Sequence, residues 1–250
     1  MQLLSTDAFE GLDVVHGFTT RAGGVSTGPW GPLNLARRAG EPDQILFENW
    51  DRVAGVLGLS ARDVAIVSQV HGATVVKVTE PSGPLTTQGE ADAMWTDRPG
   101  VLLGVRVADC VPVLLAGPGG VAVAHAGWRG VASGVVQAAI DALCDGVDCS
   151  PGEVCAAVGP HISGAVYEVG DEVVDGLASS GLDPEIFVRE GSRGRPHVDL
   201  GAAVAAQLAA AGIGRTRHLG GCSYTESRFH SHRRDGGSSG RMAGVIARRP

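Results

Sequence analysis

Aromatic side chains are scarce in this chain: Phe, Trp and Tyr together make up 4% of its 250 residues. With 38 Gly against so few rings, the composition points to tight turns and many short strands and away from a helical bundle. Lysine is nearly missing. Lys77 is the only one, so a Schiff-base mechanism would rest on a single residue and is disfavoured. No GxxxxGK[ST] loop is present, which excludes P-loop phosphate chemistry. The five Cys are odd in number and form no paired framework, as expected of a reduced, cytoplasmic protein. Met1–Asp7 carries neither a basic stretch nor a long apolar one, so no signal peptide is expected. The longest uncharged run, Cys110 to Trp128, is cut by Gly117-Pro118-Gly119-Gly120. It reads as two buried strands and a turn, not a membrane span. A net charge of -7 argues against nonspecific binding to nucleic acid or anionic membrane. The expected partner is a small-molecule substrate, and no interface signal indicates an oligomeric state.

What the chain does have is apolar content, 44%, enough for one sizeable domain spanning residues 1–250. Apolar runs of strand length recur at Val14–Thr19, Val64–Val70, Thr74–Val78, Val101–Val107, Val111–Leu115, Val121–Ala124, Val154–Val158 and Gly244–Ala247. Several are apolar throughout, as strands covered on both faces are. Helical periodicity appears at Gln44–Leu57, Val131–Leu143, Asp171–Leu177 and Leu200–Ala211. Pro81–Gly89 and Glu190–Pro196 read as surface loops. Strands and helices intermix without strict alternation and without repeats, which predicts an α+β domain built on mixed sheets. From Arg189 onward there are eleven Arg against four acids, so an anion-binding surface is expected to draw on the C-terminal quarter.

Three residues stand where strand-like runs end. His71 follows Ala65–Val70, Cys110 lies between two apolar runs, and His125 closes Val121–Ala124. Strand ends can aim side chains at a shared point. Two imidazoles and a thiolate suit zinc, and three protein ligands leave a fourth position open, as in catalytic sites. The same atoms also allow a Cys110–His125 nucleophile–base pair. Cys144, Cys149, Cys155 and Cys222 lack metal-binding spacing and read as packing or surface thiols.

Possible anion-binding elements surround this trio. His125-Ala126-Gly127-Trp128-Arg129-Gly130 is a glycine-rich strand-to-helix turn whose free N–H groups would favour an anion, with Arg129 as a bidentate donor. Arg228–Gly237 is a basic loop holding the chain's one His-x-His pair, His230 and His232. A multicopper oxidase needs several such pairs, so copper redox chemistry is disfavoured. Thr20–Ser26 and Leu33-Asn34-Leu35 add Arg21 and Asn34, which by themselves mean little more than a surface turn.

Together, Thr20–Ser26, Gln69–Gly72, Ala108–Pro112, His125–Gly130, Gly159-Pro160-His161-Ile162 with Tyr167-Glu168-Val169, and His232–Asp235 with Gly240-Arg241 resemble the laccase-domain family. That family is also labelled polyphenol oxidase or peptidoglycan editing factor. The resemblance implies layered mixed β-sheets flanked by helices (α/β/β/α) and a Zn2+ ion held by His71, Cys110 and His125. It also implies purine nucleoside chemistry: phosphorolysis of adenosine, inosine and methylthioadenosine, and deamination of adenosine. The alternatives are a hydrolase removing misincorporated serine from a peptidoglycan precursor, a copper polyphenol oxidase, or a noncatalytic zinc-binding protein. One departure is Val166, where members often carry a Cys before Tyr-Glu-Val, so a role for that second thiol is closed here. Ser238-Ser239 also lengthen the turn before Gly240. For deamination, Asp92, Asp109 and Glu168 are the candidate proton carriers, with Cys110 as the alternative nucleophile. For phosphorolysis, Arg21, Asn34, Arg129 and Arg233 are the candidate substrate and phosphate contacts. Trp128 is read either as a base-stacking ring or as core.

Overall fold

Leu102 and Leu103 are adjacent and both fully buried, yet they serve different cores. Alternate residues of a strand face opposite ways, so a strand buried on both faces must be apolar at every position. That requirement stacks this molecule in layers. The computed structural model describes residues 1–191 and 194–250. In chain order it contains β1 (Val14–Phe18), α1 (Asp43–Val56), β2 (Val64–Ala65), β3 (Val75–Lys77), β4 (Ala93–Thr96), β5 (Leu102–Val107), β6 (Val111–Gly117), β7 (Gly120–Ala126), α2 (Trp128–Ala132) and α3 (Val135–Val147). Then follow β8 (Cys155–Val158), α4 (Asp171–Ser179), α5 (Pro184–Phe187), β9 (Val188–Glu190), β10 (Pro196–Val198), α6 (Leu200–Ala210), β11 (Arg215–His218), α7 (His232–Asp235) and β12 (Met242–Arg248).

Two mixed sheets face each other. The smaller has the order β1-β12-β5-β2, and the larger β11-β8-β6-β7-β4-β3. Between them lie Phe18, Met94, Leu103, Val105, Leu114, Val123 and Ile246. The outer face of the small sheet packs Leu102, Val245 and Ala247 on Leu46, Trp50 and Val53 of α1. The outer face of the large sheet packs Val113, Leu115 and Ala124 on α3 and α6 through Val136, Ile140, Leu143, Val204 and Leu208. The outcome is the expected α/β/β/α layering of a mixed α+β domain. No helix among the described residues is long and apolar enough to cross a membrane.

The departures have local causes. The single helix expected over Val131–Leu143 is two, because Gly134 takes a left-handed φ of 80° and turns the chain between α2 and α3. The strand expected over Val64–Val70 is a regular strand only at Val64 and Ala65, with one isolated parallel bridge farther on, from Ser68 to Glu90. Beyond it, the Gln69 amide stands in for a pairing backbone: its Oε1 accepts the Arg106 N–H (2.9 Å) and its Nε2 donates to the Arg106 carbonyl (2.8 Å). The edge strand β11, Arg-Thr-Arg-His, has no apolar pattern to reveal it. Of the loop expected over Glu190–Pro196, Glu190 ends β9 and Pro196 opens the antiparallel β10. Ser192 and Arg193 lie outside the described residues.

His230 ties the two ends of the chain together. Its side chain is fully buried, and its Nε2–H donates to the Leu33 carbonyl at 2.9 Å. Its Nδ1 is buried without a partner. Burial therefore pushes the imidazole down to about 4. The unfolded chain takes up this proton near the ordinary value of 6.5, so the folded state's advantage is intact above that pH and is lost as pH falls toward 4. We expect wild type to lose about 2–3 kcal/mol more stability than His230→Gln between pH 7 and pH 4, read from urea midpoints. Parallel pH curves for the two proteins would remove His230 from the account.

Candidate metal centre

The centre is built around a carboxylate with no exposed surface. Asp92, just before β4, accepts three consecutive backbone N–H groups: Val70 (3.1 Å, Oδ2), His71 (3.0 Å, Oδ1) and Gly72 (2.7 Å, Oδ2). This cradle fixes the loop in which His71 has a φ of 62°, a left-handed conformation that costs a non-glycine residue free energy. Asp92 Oδ1 also accepts the Nδ1–H of His125 at 2.8 Å. An ionised carboxylate can only accept, so His125 must carry its proton on Nδ1 and turn Nε2 away from Asp92. Burial pushes the Asp92 carboxyl up, but the bonds from His125 and from the Gly72 and Val70 N–H groups outweigh it and hold it below the usual carboxylate range.

Cys110 comes from the turn between β5 and β6, and His125 from β7. Cys110 Sγ lies 3.9 Å from His71 Nε2, and the two imidazole rings sit edge to face with centroids 4.9 Å apart. One nitrogen from each imidazole and the sulfur all lie within 4.8 Å of one another. Zinc bonds of ordinary length at a tetrahedral angle would place S and N about 3.6 Å apart, so the trio fits an ion with small adjustments. The close approach demands glycine behind it. A Cβ on Gly127 would stand 2.7 Å from His71 Cδ2 and 3.2 Å from Cys110 Sγ. Burial pushes the Cys110 thiol up, but His125 and then His71 outweigh it and draw it down to about 6. Burial likewise pushes His125 down, but Cys110 and Asp92 raise it to about 9. The pair thus favours thiolate, the form that binds metal.

The trio opens into a cavity of about 410 Å³, lined also by Ala36, Ser68, Gln69, Arg106, Ala108, His232 and Arg241. No carboxylate is among these described lining residues. The remaining expected residues fall into three groups. Asp92 and Asp109 are both filled by donors from the protein. Asp109, with a φ of 94°, accepts the Ser223 hydroxyl and the Arg233 backbone N–H, both at 2.6 Å. Arg21 and Asn34 are spent on the backbone. The Arg21 guanidinium donates to the Gly31 carbonyl (2.8 and 3.2 Å). Buried Asn34 bonds the Ala36 carbonyl and N–H, the Arg241 N–H and Glu41. The third group lies around Tyr167: Arg233 sits over its ring at 5.0 Å, and Arg129, exposed at the start of α2, stacks on Trp128 at 4.3 Å. Glu168 pairs loosely with Arg195 at 3.9 Å, and its carbonyl accepts from Arg233 Nη1 at 2.6 Å. Its carboxylate does not reach the cavity lining. Burial and the negative charge of Cys110 push Tyr167 up to about 12, which keeps it a phenol. The His-x-His pair diverges, with His230 buried on Leu33 and His232 exposed in the cavity.

A sequence model of the family described as multi-copper polyphenol oxidoreductase laccase matches residues 15–249. The chain belongs to that family. A purine nucleoside phosphorylase of Deinococcus radiodurans is 44% identical over 237 residues, covering 94% of this chain and 89% of the relative. The purine nucleoside phosphorylase YlmD of Geobacillus stearothermophilus is 37% identical over 248 residues, covering 94% and 90%. The crystal structure of YlmD from that organism matches with a TM-score of 0.90 at 36% identity, over 98% of this chain and 94% of that one. A Bacillus licheniformis hypothetical protein, YfiH, matches at 0.88 and 32%, over 94% and 92%.

Sequence reasoning missed Arg106 and Arg241 as cavity residues, and Gln69 as the side chain that places Arg106. Arg106 sits inside an apolar strand, so its spacing reads as core. The Asp92 cradle makes a direct prediction. Asp92→Asn replaces an acceptor oxygen with an NH2 group facing donors. Zinc affinity, measured by competition with a chelator, should fall about 10–100-fold, with a loss of about 1–3 kcal/mol in stability. Unchanged zinc affinity would remove Asp92 from the centre.

Proposed function

We propose that residues 1–250 form one zinc-dependent purine nucleoside phosphorylase. The observation that carries this reading is a single cavity joining an open His-Cys-His cluster to arginine, with no carboxylate in its lining. Two imidazoles and a thiolate suit zinc, and the multicopper label in the family's description would ask for further clusters. Among the described residues only one group of three metal-binding side chains comes together. The relatives named above as purine nucleoside phosphorylases support the same reading.

Phosphorolysis breaks the bond between the base nitrogen and the ribose anomeric carbon. The electron pair leaves on the base, which gains a proton, while a phosphate oxygen supplies the pair for the new bond to carbon. His71, Cys110 and His125 would hold the zinc ion, which when bound would supply Lewis acidity. The chain's own residues do the rest. Tyr167 offers a phenol O–H in the field of Cys110, and Arg233 over its ring and Arg129 over Trp128 add cations and stacked faces suited to a base and ribose. His232 is the one imidazole outside the trio among the described lining residues and is placed to handle the base's proton. Adenosine deamination needs a carboxylate to carry protons at the reacting carbon. Asp92, Asp109 and Glu168 are all engaged elsewhere, so the geometry favours phosphorolysis.

Purified protein given adenosine or inosine should release free base only with phosphate present, forming ribose 1-phosphate, and should hold about one zinc per chain. Cys110→Ala should lose zinc and lower the rate about a hundredfold or more. Full activity in metal-free protein would overturn the zinc assignment. Ammonia release without phosphate would replace phosphorolysis by deamination, and serine release from a muramyl precursor would replace both by editing hydrolysis.

A further inference from the structure

Three arginines gather at the wall of this cavity with no carboxylate paired to them; Glu41 acts on Arg38, and Asp109 on Arg241, only from farther off. Arg106 and Arg241 line it, on neighbouring strands: Arg241 immediately precedes Met242, which pairs with Val107 in the β12–β5 ladder. Arg38 joins them through a shared carbonyl, since Arg38 Nη2 and Arg241 Nη1 both donate to Ser239 O. The loop carrying Arg38 is tied to the same place, because Leu35 N–H donates to the Arg241 carbonyl at 3.0 Å and Asn34 Oδ1 accepts the Arg241 N–H at 3.1 Å. Among the described residues, no carboxylate lies within 4 Å of any of the three guanidiniums.

Such an arrangement is unfavourable by itself. Burial pushes Arg106 down to about 10, and the charges of Arg241 and Arg38 add to that push. Arg38 Nε is buried with no hydrogen-bond partner. Arg106 gives Nη2 to the Val67 carbonyl and Nε to Gln69 Oε1, which leaves Nη1 uncommitted. Arg241 gives Nη1 to Ser239 and Gly240, which leaves Nε and Nη2. Three fixed forks with unused N–H groups, beside a cavity free of carboxylates, match a tetrahedral oxyanion that accepts along several directions at once.

We propose that Arg38, Arg106 and Arg241 form the oxyanion subsite of the metal cavity and that its occupant is inorganic phosphate. The identity of the occupant rests on the phosphorylase reading above. The assignment moves the phosphate away from Arg21, which is bound to Gly31, and away from Arg129 and Arg233, which are left to the nucleoside. It sets the phosphate on the cavity wall formed by β5 and β12, beside the Cys110 turn that joins β5 to β6.

Calorimetric titration of the purified, metal-containing protein with inorganic phosphate tests this apart from turnover. Arg241→Gln and Arg38→Gln should each weaken phosphate binding about tenfold or more, and should raise KM for phosphate far more than KM for the nucleoside. Arg241→Lys, which keeps the charge and loses the fork, should fall between wild type and Arg241→Gln. Thermal melts check that each variant is folded, and Arg38→Gln serves if Arg241→Gln is not. Adenosine 5′-monophosphate separates a free phosphate from a phosphate ester. Binding of inorganic phosphate that the ester does not displace supports the proposal, and tighter, Arg241-dependent binding of the ester overturns the choice of inorganic phosphate. Undetectable phosphate binding in wild type overturns it, as does binding that survives both glutamine variants and is lost in Arg233→Gln. Arg-dependent phosphate binding in a protein that phosphorolyses no nucleoside would refute the phosphorylase reading and leave the subsite standing.

Discussion

One buried carboxylate sets the geometry of the whole centre. Asp92 accepts the N–H groups of Val70, His71 and Gly72 and the Nδ1–H of His125. It thereby places one ligand through the backbone and orients another through its ring. The Asp92 carbonyl also receives the His125 N–H at 2.7 Å, so β4 and β7 are locked in register at the point where both reach the site. A carboxylate without exposed surface is costly to bury unless its oxygens are filled with donors. Here four donors fill them, and each belongs to the segment that must be held. The charge stays behind the ligands and leaves the cavity in front of them positive.

The layers and the meeting of His71, Cys110 and His125 could be read from the chain because each leaves a pattern of period or position. Continuous apolar runs at Val111–Leu115 and Val121–Ala124 are what strands covered on both faces require, and they lie in the central β6–β7 pair. His71, Cys110 and His125 each stand where such a run gives way to a turn. What stayed hidden has no such pattern. The Gln69 amide pairing with the Arg106 backbone joins residues 37 apart in the chain, and nothing local marks it. Asp92 and Asp109 are the right chemistry in the right region, yet sequence cannot tell a carboxylate facing substrate from one filled with backbone donors.

The arginines show the same limit through charge. The eleven Arg from Arg189 onward suggest that the anion site lies there, and Arg241 does come from that stretch. Arg38 and Arg106 come from the acidic remainder. Several of the C-terminal arginines are instead paired outward: Arg217 with Asp7, Arg228 with Glu226 and Arg249 with Asp13. Exposed pairs of this kind contribute little to stability or binding. Three guanidiniums without a paired carboxylate in a partly buried site exert a larger field than many that are neutralised at the surface.

That field bears on the family's two names. Thiolate and imidazole donors suit either zinc or copper, so the ligand trio alone does not separate a phosphorylase from an oxidase of phenols. A phenol oxidised at copper is neutral or singly charged and has no use for three unpaired guanidiniums beside the metal. A dianionic phosphate attacking a ribose carbon needs its charge held and its oxygens oriented. Keeping three like charges close together is unfavourable in the empty fold, and it is sensible only where the ligand brings the compensating charge. The arginine wall, more than the metal ligands, points to phosphate as a reactant.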